Sequence, residues 1–142
     1  MFLGEFRHSL DEKSRLTLPA KFRARLAAGL VLTAGMDRFL LVYPQDEFEL
    51  LAERVNTLPL TVHEAATLRR LLFPNASDLV PDRQGRVVVP ENLRAHAGIS
   101  NDVVVAGVGK FIEIWSPEEW QRARAEVQEH AAQESTWAKL GI

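Results

Sequence analysis

Two short segments of the chain place an aspartate and an arginine four residues apart, immediately before an apolar run that ends in proline. The first segment spans residues 11–19 and carries Arg15, and the second spans residues 82–90 and carries Arg86. The planar guanidinium of arginine can donate paired hydrogen bonds to O6 and N7 of guanine, or can clamp a phosphate. The chemistry that these segments indicate is therefore the recognition of a polyanion.

The aspartates of the two motifs, Asp11 and Asp82, carry the charge that a polyanion repels. We therefore expect them to accept backbone amide hydrogen bonds within their loops or to orient the arginines, as aspartate commonly does in turns. The residues leave a simpler alternative open, in which each Asp–Arg pair is only an exposed ion pair of little energetic value.

Basic residues are concentrated near the N-terminus, although the whole chain has a net charge of -2. Residues 1–25 contain six basic and three acidic side chains, whereas the remaining 117 residues contain eleven and sixteen. Lys13 lies inside the first loop, Arg7 on the strand before it, and Arg83 inside the second loop. We expect Arg15, Lys13 and Arg7 to carry more of the binding than Arg83 and Arg86. The alternative is an ordinary solvated surface.

Motifs for catalysis are incomplete in this chain. His63 and Glu64 begin like the zinc-binding helix H-E-x-x-H, but Thr67 stands where the second histidine would lie. Residues 107–110 lack the first glycine and the Ser or Thr of a phosphate-binding loop. The chain has no cysteine, which excludes thiolate metal sites and cysteine nucleophiles. We therefore expect a protein that is not an enzyme and uses no cofactor, metal ion or small-molecule substrate.

The two motifs belong to an internal duplication, which predicts the elements that position them. Each copy is predicted to contain a strand, the motif loop, a second strand, a short helix after the proline, a hairpin and a long helix. We also predict left-handed helix ends at Gly29 and Gly98, a connecting helix from about residue 61 to 72, and a capped helix beginning at Pro117. Matching positions outside the motifs include Gly29 and Gly98, Phe39 and Phe111, Tyr43 and Trp115, and Glu47 and Glu119.

One copy holds only about 45 residues of strand and short helix, which is too small to bury a stable core alone. We therefore expect the two copies to share one core and to pair strands with each other, giving an α+β intrachain pseudo-dimer with approximate two-fold symmetry. Such symmetry would bring the two loops to equivalent positions. The predicted division is a first unit with its helix over residues 1–56, a connecting helix over 57–74, and a second unit with a C-terminal helix over 75–142.

The tandem D-x-x-x-R motifs, each followed by a short apolar strand and a proline in a cysteine-free chain, closely resemble the MraZ family of bacterial transcriptional regulators, which are built from two AbrB-like (swapped-hairpin) units. The resemblance covers essentially the whole chain. It implies sequence-specific DNA binding upstream of the division and cell-wall gene cluster, where we expect the protein to act as a repressor. It also implies binding to short G-containing direct repeats in double-stranded promoter DNA as a ring-shaped homo-oligomer. One departure from the usual loop is Ser14, which stands where the second copy has Gly85.

A net acidic protomer that makes about 3–5 phosphate contacts would bind DNA weakly, so we expect self-assembly to supply affinity. Trp120, Phe48 and Leu51 are candidates for contacts between subunits, with core packing as the alternative. The tail around Trp137, Leu140 and Ile142 either docks on a neighbour or frays. No apolar run approaches the ~18 residues of a membrane span, so we expect a cytoplasmic, nucleoid-associated protein without a membrane partner. The alternative function is a ring-forming protein-interaction scaffold that does not bind DNA.

Overall fold

The computed structural model of the chain describes all 142 residues. It contains eight strands and six helices, arranged as two similar successions of elements with one additional helix between them and one at the C-terminus. The elements are β1 (Glu5–Ser9), β2 (Arg15–Thr17), α1 (Ala20–Leu26), β3 (Leu30–Ala34), β4 (Leu40–Pro44), α2 (Gln45–Asn56), α3 (His63–Leu72), β5 (Ser77–Leu79), β6 (Arg86–Val88), α4 (Glu91–Ala97), β7 (Asp102–Gly107), β8 (Ile112–Trp115), α5 (Pro117–Ala131) and α6 (Glu134–Lys139).

The two copies exchange strands with each other. Six strands form one antiparallel sheet in the order β1-β7-β8-β4-β3-β5, and β2 and β6 form a separate antiparallel pair that we call the ribbon. The sheet order reads the same from both edges when each strand is replaced by its counterpart in the other copy. The pseudo-two-fold axis therefore passes between β4 and β8, which confirms the predicted α+β pseudo-dimer.

One face of the six-stranded sheet packs against the ribbon, α1 and α4. The inward-facing residues of the ribbon strands are buried because side chains alternate between the two faces of a strand. They meet the strand residues from both copies and the apolar faces of the two short helices in a single core. Its members include Leu16, Leu18, Val87 and Val89 around the ribbon, Phe22, Leu26 and Leu93 on the helices, and Leu40, Val42, Ile112 and Ile114 on the sheet.

The opposite face of the sheet packs against helices and carries two aromatic stacks. Leu41 on this face packs with residues of α2 and α3. Phe39 stacks on Trp115 with ring centroids 4.6 Å apart, and Tyr43 stacks on Phe111 at 5.0 Å. These two stacks are equivalent under the pseudo-two-fold, so both copies contribute to each.

The predicted helix signals are confirmed at two sites and wrong at a third. The Ser116 hydroxyl accepts a hydrogen bond from the Glu119 amide at 3.2 Å, so α5 has the expected N-terminal cap. Gly98 ends α4 in the left-handed conformation, with a φ of 65°. Gly29 does not end α1 in this way, because the helix stops earlier, at the right-handed residue Ala27. Gly29 instead has a φ of 141° and accepts the Gln45 amide.

Neither of the C-terminal helices α5 and α6 contains a fully buried residue, although Trp120 of α5 packs near Trp115 of β8. Trp137 of α6 donates its indole hydrogen to the Ala131 carbonyl at 3.2 Å, which folds α6 back on the end of α5. No helix of the chain combines the length and apolar character that a membrane crossing requires.

Candidate nucleic-acid interface

The first D-x-x-x-R loop is closed by hydrogen bonds to Asp11. Its Oδ1 accepts the backbone amides of Lys13 and Arg15, both at 2.9 Å, and its Oδ2 accepts Arg15 Nε at 2.7 Å. These donors favour the charged carboxylate, so the pKa of Asp11 lies below its ordinary value of 3.8, with the Arg15 amide as the largest cause. The ionised aspartate holds Arg15 by one side of its guanidinium, which leaves the two Nη groups available to an external acceptor.

The second loop repeats the same contacts. Asp82 accepts hydrogen bonds from the amides of Gln84 and Arg86 at 2.9 Å and from Arg86 Nε at 2.8 Å. The pKa of Asp82 is lowered for the same reason, with the Arg86 amide as the largest cause. Gly85 has a φ of 74°, and Ser14 at the equivalent position has a φ of 58°, the sole positive φ outside glycine. The two loops therefore share one backbone conformation.

The ribbon brings both arginines onto one surface. The pairs along it are Arg15 with Val88, Leu16 with Val87, and Thr17 with Arg86. The middle pair faces the core, so the other four side chains share the outer face. Opposed side chains of an antiparallel pair have Cβ atoms about 5 Å apart, and diagonal neighbours are about 7–8 Å apart. Arg15 and Arg86 occupy one diagonal of this face, and Thr17 and Val88 occupy the other.

The loops also lock the two ends of the ribbon. The Val89 amide donates to the Ser14 carbonyl at 2.9 Å, and the Leu18 amide donates to the Gly85 carbonyl at 2.8 Å, so each loop is bonded to the opposite copy. Arg23 lies over Gly85 and donates from Nε to the Leu18 carbonyl at 2.9 Å. These hydrogen bonds therefore fix the backbone that carries the arginines of the outer face.

Two more basic residues flank this surface, one at each end. Lys13 is exposed in the loop that precedes β2, and Arg83 is exposed in the loop that precedes β6. Because the strands are antiparallel, the two loops lie at opposite ends of the ribbon. The loops differ in charge, since the counterpart of Lys13 is Gln84 and the counterpart of Arg83 is Glu12.

Arg7 is not brought to this surface. Phe6 packs against the core that lies under the ribbon, and the alternation of β1 therefore directs Arg7 to the opposite face of the six-stranded sheet. There it lines a shallow groove with Asp102 and Pro117. The structure thus brings together Arg15, Lys13, Arg86 and Arg83, and it separates Arg7 from them.

The sequence reasoning missed Thr17 and Val88 as members of the outer face. Val88 is 50% exposed, whereas Val87 and Val89 on either side of it are buried. A run of three valines does not reveal which one faces outward. The signal that could have found Val88 is the two-residue period of a strand counted from Arg86, which places both on the same face.

Other sites for ligands are weak. No group of three or more His, Cys, Asp or Glu side chains lies in an arrangement that could hold a metal ion. The residues named above as candidates for contacts between subunits are half-buried: Trp120 packs near Trp115, and Phe48 packs near Tyr43. We therefore take the outer face of the ribbon as the candidate binding surface.

Comparison with known proteins identifies relatives across the chain. The family model described as "MraZ protein, putative antitoxin-like" matches twice, over residues 1–71 and 72–140. A protein of Herpetosiphon aurantiacus named transcriptional regulator MraZ is 59% identical over 121 residues, which is 85% of each chain. A protein of the same name from Micrococcus luteus is 50% identical over 135 residues, covering 95% of this chain and 94% of the relative. The one from Syntrophomonas wolfei is 49% identical over 120 residues, 84% of each chain.

Proposed function

The chain belongs to the MraZ family, and on that premise we propose that it is a transcriptional regulator that binds double-stranded DNA through the outer face of the ribbon. The observation that carries this proposal is that both loops make the same contact, in which an aspartate accepts a hydrogen bond from Nε of an arginine and leaves its Nη groups free. A regulator of this kind needs no catalytic residue, in agreement with the incomplete catalytic motifs.

The geometry of the ribbon suits the major groove of DNA. The major groove admits a two-stranded β-ribbon, and a guanidinium can donate there to both O6 and N7 of guanine. Arg15 and Arg86 would be presented about 7–8 Å apart at their Cβ atoms, which is roughly two base-pair steps of 3.4 Å. We infer that these two arginines read guanines, while Asp11 and Asp82 set their orientation.

The flanking cations would bind phosphates. Lys13 and Arg83 lie at opposite ends of the ribbon, where the walls of a groove would pass, and contacts to phosphates position a protein without reading sequence. Few such contacts are available per protomer, and the net charge of the chain is -2. Single-protomer affinity should therefore be weak and should fall steeply with salt concentration.

Self-assembly into a ring would overcome this weakness. Several protomers on tandem direct repeats act at a high effective concentration, which raises affinity without new contacts. The helices α5 and α6 and the residues that follow them supply surface for such assembly, with Trp137, Leu140 and Ile142 all exposed. We propose that these helices contact a neighbouring copy. Removing residues 133–142 should then reduce the particle size measured by light scattering and weaken binding to a repeated site more than binding to a single site.

The targets that we propose rest on family membership alone. They are the direct repeats upstream of the division and cell-wall gene cluster, where the protein would act as a repressor and associate with the nucleoid. The direct test is to mix the protein with DNA from upstream of its own gene, to map the protected bases, and to measure transcription from that promoter with and without the protein.

Binding to that DNA should depend on the two arginines of the ribbon. Arg15→Ala and Arg86→Ala are each expected to weaken binding by roughly 5- to 150-fold, the usual value of one guanine contact. Lys13→Ala should weaken binding to all sequences alike and should reduce the slope of log affinity against log salt by about one. The sequence suggests that Arg15 contributes more than Arg86, and comparison of the two variants tests this.

Two further variants serve as controls for this measurement. Arg70→Ala removes an exposed arginine of α3, a helix that packs on the opposite face of the six-stranded sheet. Arg7→Ala removes a cation that also points to that face, and both variants should bind DNA as the unmodified protein does. Normal binding by Arg15→Ala and Arg86→Ala would contradict the proposal and would favour a scaffold that does not use this surface for DNA.

A further inference from the structure

The outer face of the ribbon carries an exposed apolar side chain that is not part of the core. Val88 is 50% exposed and lies directly opposite Arg15, while its neighbours Val87 and Val89 are buried. Single exposed valines are common on protein surfaces and need no explanation by themselves. The position of this one, in the centre of the surface that presents both arginines, makes it informative.

Val88 is also where the surface departs from its own symmetry. Its pseudo-two-fold counterpart is Thr17, which lies directly opposite Arg86. The arginines of the two copies are matched in type, loop contacts and side-chain exposure, which is 27% for each. Thr17 and Val88 differ, so the two arginines have different neighbours. A fully symmetric face would read a base sequence equally well in either direction, whereas this face has a direction.

We propose that Val88 is a specificity residue that contacts the C5 methyl group of a thymine next to the guanine read by Arg15. This inference rests on the proposed DNA-binding function of the ribbon. The thymine methyl is the only apolar group that bases present in the major groove, and apolar side chains recognise it by contact. Val88 is β-branched and lies on a strand, so its methyl groups are held in a restricted orientation. Its Cβ lies about 5 Å from that of Arg15, within one to two base-pair steps.

Thr17 gives the other half of the face a different preference. Its hydroxyl can donate or accept a hydrogen bond, and threonine in the major groove is compatible with more than one base. The position beside the guanine read by Arg86 should therefore tolerate base changes better than the position beside Val88. One protomer would then recognise a short element that is not palindromic, which is what a direct repeat requires.

Replacing single thymines by uracil tests the proposal, because uracil pairs as thymine does and lacks only the methyl group. The probe is a duplex from the protein's own upstream region, trimmed to the protected bases, with each thymine replaced in turn. We expect one replacement next to a guanine to weaken binding of the unmodified protein about fourfold, the value of one buried methyl group. The Val88→Ala variant should bind the thymine duplex more weakly than the unmodified protein does. Replacing that thymine by uracil should not weaken its binding further.

Val108→Ala is the matched control, since it truncates another exposed valine outside the ribbon, and it should keep the full sensitivity to uracil. Equal melting temperatures of the three proteins would show that folding is unchanged. The assignment of Val88 would be overturned if Val88→Ala kept the sensitivity to uracil, or if the unmodified protein lacked it. In either case, loss of binding by Arg15→Ala would leave the proposed function of the ribbon intact. Failure of the unmodified protein to bind the duplex, or normal binding by Arg15→Ala and Arg86→Ala, would overturn the proposed function as well.

Discussion

Replacement of Ser14 by glycine is expected to stabilise the protein. Ser14 has a φ of 58°, in the left-handed region, which costs a residue with a Cβ atom about 1–2 kcal/mol and costs glycine almost nothing. Glycine also loses more backbone entropy on folding than serine does, which offsets about 0.5–1 kcal/mol of the relieved strain. The difference is a net stabilisation of about 0.5–1 kcal/mol, or a rise in Tm of roughly 2–4 °C for a chain of this size.

The reverse change in the second loop supplies the matched control. Gly85 has a φ of 74°, and a Cβ atom added there would lie 2.7 Å from Cδ and Nε of Arg23. Gly85→Ser would therefore add left-handed strain and displace the hydrogen bond from Arg23 to the Leu18 carbonyl. These two effects are offset by about 0.5–1 kcal/mol because serine loses less backbone freedom than glycine on folding, so we expect a net destabilisation of about 1–2.5 kcal/mol.

Urea and thermal unfolding of the two variants beside the unmodified protein measures both effects. DNA binding by Ser14→Gly should stay within about twofold, because the contacts that close the loop involve Asp11, Lys13 and Arg15 and not the serine side chain. A lower urea midpoint for Ser14→Gly would refute the reasoning. It would show that the serine hydroxyl stabilises the loop by more than its backbone conformation costs.

Three other variants test different parts of the fold. Burial raises the pKa of Glu113 above its ordinary value of 4.5, so the stability linked to its protonated form is complete below that pH and is lost as the pH rises through the higher folded pKa. Glu113→Gln should therefore raise Tm at pH 7 and leave it nearly unchanged near pH 4 in a pH series of thermal melts. Leu16→Ala, at a fully buried position under the ribbon, should cost about 2–5 kcal/mol in urea unfolding. Asp11→Asn can keep the amide contacts but loses the charge that holds Arg15, so fluorescence anisotropy should show weaker DNA binding; unchanged affinity would contradict the orienting role.

The spacing of the two motifs was sufficient to predict much of the fold. The aspartate of each motif satisfies amides within its own loop, so the loop conformation is encoded locally and repeats wherever the motif repeats. Apolar residues after each arginine alternate between the two faces of a strand, and the prolines end the strands. The order of strands and helices within each copy could therefore be predicted. The need for a shared core then led to a pseudo-dimer, because one copy is too small to fold alone.

Other features could not be read from the sequence because they depend on how distant strands pair. Arg7 lies only four residues before Asp11, yet pairing of β1 with β7 and packing of Phe6 direct it to the opposite face of the sheet. Glu113 looks like an ordinary strand glutamate, and its raised pKa arises from burial beside the pseudo-two-fold axis, opposite Leu41 of the other copy. Tertiary contacts of this kind override local patterns.

The exchange of strands has a consequence for synthesis on the ribosome. The first strand of the nascent chain pairs with β7, with Glu5 opposite Ala106, and β3 of the first copy has one edge open until β5 has been made. Such distant pairings are slow to form, and an unpaired strand edge invites association with other chains. The nascent N-terminal half therefore exposes apolar surface and an open edge until most of the polypeptide has been translated, and a chain that stops before β7 leaves both halves incomplete.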